Sequence, residues 1–165
     1  MADKTITERL QPSLLDRLTD LEPDMTSEGR ESRVIDVARL RDIIRRDLTS
    51  LLNTNNFETQ LDAERHPNAI NSVLNYGVRE VSGEISTVDR IARIRTSIHQ
   101  AIERFEPRIK EGTLDVILRK EEGMHRTIVA FDITADMWAQ PLPMELYLRS
   151  EVDITTGELQ LRQDG

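Results

Sequence analysis

The spacing of apolar residues changes once along this chain, and that change is the strongest constraint on its fold. Up to Phe105 apolar side chains recur every three or four positions; beyond Pro107 they recur every second position. Val37, Leu40, Ile44, Leu48 and Leu51 form one stripe at helical spacing. Ile91, Ile94, Ile98, Ala101 and Phe105 form a second, widened by Ile102. A period near 3.6 gathers residues on one face of a helix, and a period of two gathers them on one face of a strand. The second rule is followed by Leu114, Val116 and Leu118, by Val129, Phe131 and Ile133, by Met144, Leu146 and Leu148 toward Val152 and Ile154, and by Leu159 and Leu161. Helices followed by a run of strands predict an α+β fold with two layers, the helices packed on a small antiparallel or mixed sheet.

Local signals set the boundaries. One helix runs from about Arg33 to Leu52 and stops at Asn53-Thr54-Asn55-Asn56, because Asn tolerates the left-handed geometry of helix ends. The main core helix begins at Ser86 or Thr87, where Ser86 and Asp89 have the form of a capping box. Pro107 ends it, since a residue before proline is pushed out of helical geometry. Glu121-Glu122-Gly123 and Thr155-Thr156-Gly157 read as turns between strands. The stretch from Phe57 to Gly83 is broken by Pro67, by the turn Ser72-Val73-Leu74-Asn75-Tyr76-Gly77 and by Ser82-Gly83. It is expected to be ordered loop with a short helix.

Residues 1–32 read differently from residues 33–165. Ser13 caps a short amphipathic helix from Ser13 to Asp20, preceded by Pro12 and carrying Leu14, Leu15 and Leu18. Glu22 to Ser32, with Pro23, Gly29 and many charges, reads as a flexible linker. The tethered helix is either a docking peptide for a partner or a segment that folds back on its own domain.

Composition removes several classes of function. A chain of 165 residues makes one domain of ordinary size, which buries roughly 70% of its unfolded surface. It has no cysteine, so disulfides, thiol nucleophiles and Cys-based zinc sites are excluded. No signal peptide is read at the start, and no apolar run nears the ~20 residues that cross a bilayer. A soluble protein that stays in the cytoplasm, without membrane insertion, is expected. Thirty acidic against 22 basic residues give a net charge of −8, which disfavours nucleic acid and anionic lipid as partners. Arg39, Arg41, Arg45 and Arg46 are interleaved with Asp42 and Asp47, which suits a solvated or protein-facing helix side.

No motif for metal, nucleotide or nucleophilic chemistry is found. His66, His99 and His125 are widely separated, and the sequence holds no HExxH, phosphate-binding glycine loop or nucleophile elbow. No metal or cofactor is expected. Thirty carboxylates always permit a glycosidase-like pair, but only Trp138, two tyrosines and three phenylalanines are available as sugar platforms. Trp138, between two strands, reads as a core residue or an interface anchor.

One constellation stands out. Phe105-Glu106-Pro107-Arg108 closes the core helix where the chain turns toward the sheet. Glu106 and Arg108 are either an acid–base pair presented to a partner or a local ion pair that fixes the helix exit. Arg suits the first role through its planar, bidentate hydrogen bonding, but the residues by themselves favour the local ion pair.

This block, together with Pro12 to Leu18, Leu40 to Leu48, Leu51 to Thr54 and Ser72 to Gly77, resembles the TssE family of type VI secretion baseplate subunits, which is related to the small wedge protein of contractile phage baseplates. The resemblance covers nearly the whole chain in the same order. It implies a cytoplasmic, non-enzymatic structural component that docks in the baseplate wedge and initiates contractile sheath assembly. Its implied partners are the wedge subunits TssF and TssG, the TssB–TssC sheath and other baseplate subunits. The family's Glu-Pro-Arg motif falls on Glu106, Pro107 and Arg108, which the resemblance makes partner-binding residues. Phage relatives offer a strand to the sheath, which makes the C-terminal strands candidates for β-augmentation. The family has also been called lysozyme-like, and a carboxylate-dependent muramidase is the rival reading.

Overall fold

The computed structural model describes residues 13–20, 23–24, 35, 37–62, 64–80, 87–119, 127–138 and 144–162. The elements run α1 (Leu14–Leu18), α2 (Val37–Leu52), α3 (Pro67–Ile70), a 3-10 turn (Val73–Asn75), α4 (Thr87–Phe105), then β1 (Asp115–Arg119), β2 (Ile128–Met137), β3 (Met144–Asp153) and β4 (Leu159–Arg162). The four strands form one sheet in the order β1-β2-β3-β4, antiparallel throughout. The fold is the expected α+β arrangement, with an antiparallel sheet among the described residues. The cap at Ser86, the turns at Ser82-Gly83 and Glu121-Glu122-Gly123, His125, Pro12 and most of the linker from Glu22 to Ser32 lie outside the described residues.

Both apolar stripes reach the core that their spacing demands. Leu40, Ile44, Leu48 and Leu51 of α2 and Ile94, Ile98, Ala101 and Ile102 of α4 are buried against one face of the sheet. That face is built by alternate residues, Val129, Phe131, Ile133, Ala135 and Met137 from β2 and Leu146, Leu148 and Val152 from β3. Each fully buried side chain of this size stabilises the fold by roughly 1.5–3 kcal/mol. Ser150 sits on the same inward face and is tolerated because its hydroxyl donates to the Phe131 carbonyl at 3.1 Å. Helix α2 is recorded from Val37, whose side chain is partly exposed, with Ile35 packed on the core before it.

Two polar devices tie the layers together. The Asn53 side chain accepts from the Leu159 N–H at 2.9 Å and donates to the Leu159 carbonyl at 2.8 Å, so an amide at the end of α2 pairs with β4 as a strand would. Gly77 lies at φ +119°, and a Cβ there would stand 2.1 Å from the Thr54 carbonyl oxygen. That closeness lets Val78 N donate to Thr54 O at 2.8 Å and Asn56 N donate to Val78 O at 2.9 Å. The region from Phe57 onward is thereby held against the end of α2.

Candidate partner-binding site

The exit of α4 is built by burial first. Glu106 follows Phe105, the last residue of the helix, and is only 4% exposed. A carboxylate taken this far from water needs charge and hydrogen bonds close by. Arg108 supplies both. Its Nε donates to Glu106 Oε1 at 2.6 Å, its Nη2 donates to Glu106 Oε2, and its main-chain N donates to Oε1 at 3.1 Å. Pro107 bends the chain between the two, which brings residues only two apart into a bidentate pair.

The pair is not closed on itself. Arg108 Nη2 also donates to Asp47 Oδ2 on α2 at 2.8 Å. Asp47 accepts in turn from Arg46 Nε at 3.0 Å, and Arg46 Nη2 reaches Asp16 Oδ2 on α1 at 3.2 Å. Alternating charges therefore run Glu106, Arg108, Asp47, Arg46, Asp16 across three separate segments. Burial alone would pull the Arg108 guanidinium down; the hydrogen bond and charge of Glu106, then those of Asp47, more than reverse this and hold it above its ordinary value. Asp16 is held below the ordinary carboxylate range, chiefly by its hydrogen bond from Arg46.

Beside this ladder lies a cleft of about 500 Å³, lined by Leu15 of α1, Asp47, Tyr76, Phe105, Pro107 and Arg108 among others. Its floor is fixed by the Tyr76 and Phe105 rings, whose centroids are 5.2 Å apart at a tilt of 59°. Tyr76 is positioned by its neighbour Asn75, a buried amide that accepts from Phe57 N at 3.0 Å and donates to the Ile70 carbonyl at 3.1 Å. Burial raises the Tyr76 phenol above its ordinary value, and the charges of Asp47 and Glu106 add to that. Arg108 remains 27% exposed at its side chain, and its Nη1 makes no hydrogen bond among the described residues.

Residues 38–142 match the family of the baseplate wedge protein gp25. The chain belongs to the gp25 baseplate wedge family. The matched span includes the whole Glu106-Pro107-Arg108 turn and ends before β3. Comparisons with curated proteins and with solved structures found no match. Membership gives this wedge-family chain a structural role in a baseplate, with other baseplate subunits as its partners.

Sequence spacing reaches some of this site and misses the rest. Glu106 and Arg108 are adjacent as their spacing suggests. Asp47 is missed as their partner because it reads as one charge of an interleaved patch; its place three residues after Ile44 and four before Leu51, on the flank of the buried stripe, is the signal that marks it. Within the patch, Arg45 Nη2 lies 3.1 Å from Asp42 Oδ1. Helix α1 shows one feature of each kind that its two readings invoke. Asp16 ties the helix to α2, yet Leu14, Leu15 and Leu18 are all well exposed. Trp138 is not a core residue: it is 63% exposed. Val73 and Leu74 also lie on the surface, so that apolar turn serves to place Asn75 and Tyr76.

Among the described residues no group of His, Asp or Glu is arranged to hold a metal ion, and no helix is long and apolar enough to cross a membrane. His66 precedes α3, and His99 lies 3.7 Å from Glu103 on the exposed side of α4. Glu106, the one buried carboxylate among the described residues, has both oxygens engaged by Arg108.

Proposed function

We propose that this chain is the TssE-type wedge subunit of a type VI secretion baseplate, that it docks with TssF and TssG through Glu106, Pro107 and Arg108, and that it starts assembly of the TssB–TssC sheath. Residues 33–165 act as the wedge domain and residues 1–32 carry a docking helix. The work takes place in the cytoplasm, and the chain acts as a scaffold and not as an enzyme.

The observation that carries this reading is the state of Arg108. A guanidinium clamped by a buried carboxylate on one edge and by Asp47 beyond it is pre-organised, so little side-chain entropy is lost when a partner binds Nη1, which has no hydrogen bond among the described residues. A partner carboxylate or carbonyl suits that donor. The exposed leucines of α1 suit an apolar groove on the same or a neighbouring subunit.

Sheath initiation is supported by the sheet edge. Among the described residues β4 is outermost, and the outward main-chain groups of Leu159 are taken by Asn53. Outward and inward groups alternate along a strand, so those of Leu161 also face outward. An incoming strand would meet its first free rung there.

The test is co-expression of the chain with TssF and TssG from the same organism. A stable complex that is weakened by Arg108→Lys, which keeps the charge and loses the fork, is the expected result. A folded chain that never co-purifies with folded TssF and TssG would count against the assignment.

A further inference from the structure

Trp138 is the chain's single tryptophan, and it is exposed although its neighbour Met137 is fully buried. Its backbone is held firmly. Trp138 N donates to the Arg108 carbonyl at 2.8 Å, Lys110 N donates to the Asp136 carbonyl at 2.8 Å, and Ile109 and Met137 form an antiparallel bridge between these bonds. The segment after Pro107 thus pairs with the end of β2, and Trp138 is the cross-strand neighbour of Arg108.

A cleft of about 380 Å³ adjoins the indole, lined by Glu103, Pro107, Lys110, Glu111, Leu114 and Trp138 among others. Pro107 also lines the cleft beside Arg108, so it divides two recesses of different chemistry. One recess offers a guanidinium. The other offers an exposed ring with the carboxylates of Glu103 and Glu111 around it, against the single ammonium of Lys110.

We propose that Trp138 is a second anchor of the partner-binding surface and receives an Arg or Lys side chain from the wedge subunit that engages Arg108. This rests on the wedge reading given above and extends it. The face of an indole attracts a cation, and nearby carboxylates strengthen the field that the cation meets. Trp and Arg are among the residue types most enriched at interface hot spots, and here they are cross-strand neighbours on two paired segments. The partner surface is therefore bipolar: an acceptor for Arg108 and a base for Trp138, on either side of a notch that fits Pro107.

The experiment labels the chain with 5-fluorotryptophan, which places its one fluorine reporter at Trp138, and titrates it with the TssF–TssG complex. The expected result is a shifted fluorine resonance on binding and a Kd that rises about tenfold or more for Trp138→Ala. Glu111→Lys, at an exposed turn position, weakens binding too and serves if Trp138→Ala fails to fold. A complex that forms with an unmoved resonance, and with unchanged affinity for the folded variants, overturns the Trp138 proposal and leaves the Arg108 reading standing. If the folded wild-type chain forms no complex, the type VI docking reading falls and this proposal falls with it.

Discussion

Arg108 Nη2 and Asp47 Oδ2 meet at 2.8 Å across a sequence separation of 61 residues. This contact joins the exit of α4 to the middle of α2. It makes Arg108 both a structural tie and a presented side chain, so its substitution is expected to act on stability as well as assembly.

Arg108→Ala strands the Glu106 carboxylate in a buried place. A loss of about 2–4 kcal/mol is expected, below the upper range for fully buried pairs because Arg108 is partly exposed. In a Glu106→Gln background the same substitution should cost much less, since no buried charge is left behind. Urea unfolding of the four members of this double-mutant cycle measures the difference. Additive losses would show that the two side chains are not coupled.

Asp16 reports on the docking of α1. Its folded value is depressed, so the stability it contributes is present above the ordinary carboxylate value near 3.8 and is lost as pH falls below it. Because the pair with Arg46 is largely at the surface, the effect on global stability should stay under about 1 kcal/mol. The local effect should be larger: amide NMR shifts of Leu14 to Leu18 are expected to move toward random-coil values as pH falls well below the ordinary carboxylate value, in high salt and in Asp16→Asn at neutral pH. Shifts that ignore all three changes would remove the ion pair as the tie.

Asn53→Ala removes both hydrogen bonds to Leu159 and opens that rung of the β4 edge. A stability loss of about 1–3 kcal/mol is expected. An open edge also invites pairing between molecules. Thermal unfolding and sedimentation velocity should together show a lower Tm and concentration-dependent self-association. Asn53→Asp should be at least as damaging, because it places a carboxylate oxygen against the Leu159 carbonyl.

Gly77→Ala combines an unfavourable backbone angle with a clash against Thr54. At least about 2 kcal/mol of destabilisation is expected. The release should begin in the segment from Phe57 to Tyr76, whose attachment to α2 depends on this close approach. Hydrogen exchange that speeds there before it speeds in the sheet would bear this out.

The helices and strands were legible because burial imposes a period on each of them, and the stripes of α2, α4, β2 and β3 carry that period cleanly. The end of α4 was legible because proline acts locally. The buried core residues of α2 and α4 follow from the same rule. Local chemistry also set Glu106 beside Arg108, since a two-residue separation across a proline leaves little choice of distance.

What only the tertiary structure decided were the contacts between elements. Asp47 under Arg108, Asn53 on Leu159, Gly77 against Thr54 and Trp138 beside Arg108 each join residues that no local period relates. A polar residue of α2 reads the same whether it meets solvent or a guanidinium, because side-chain spacing fixes a face and not the element packed against it. The exposure of Trp138 follows the alternation of β2 carried one residue past Met137; what that period could not show is that Arg108 lies across from it.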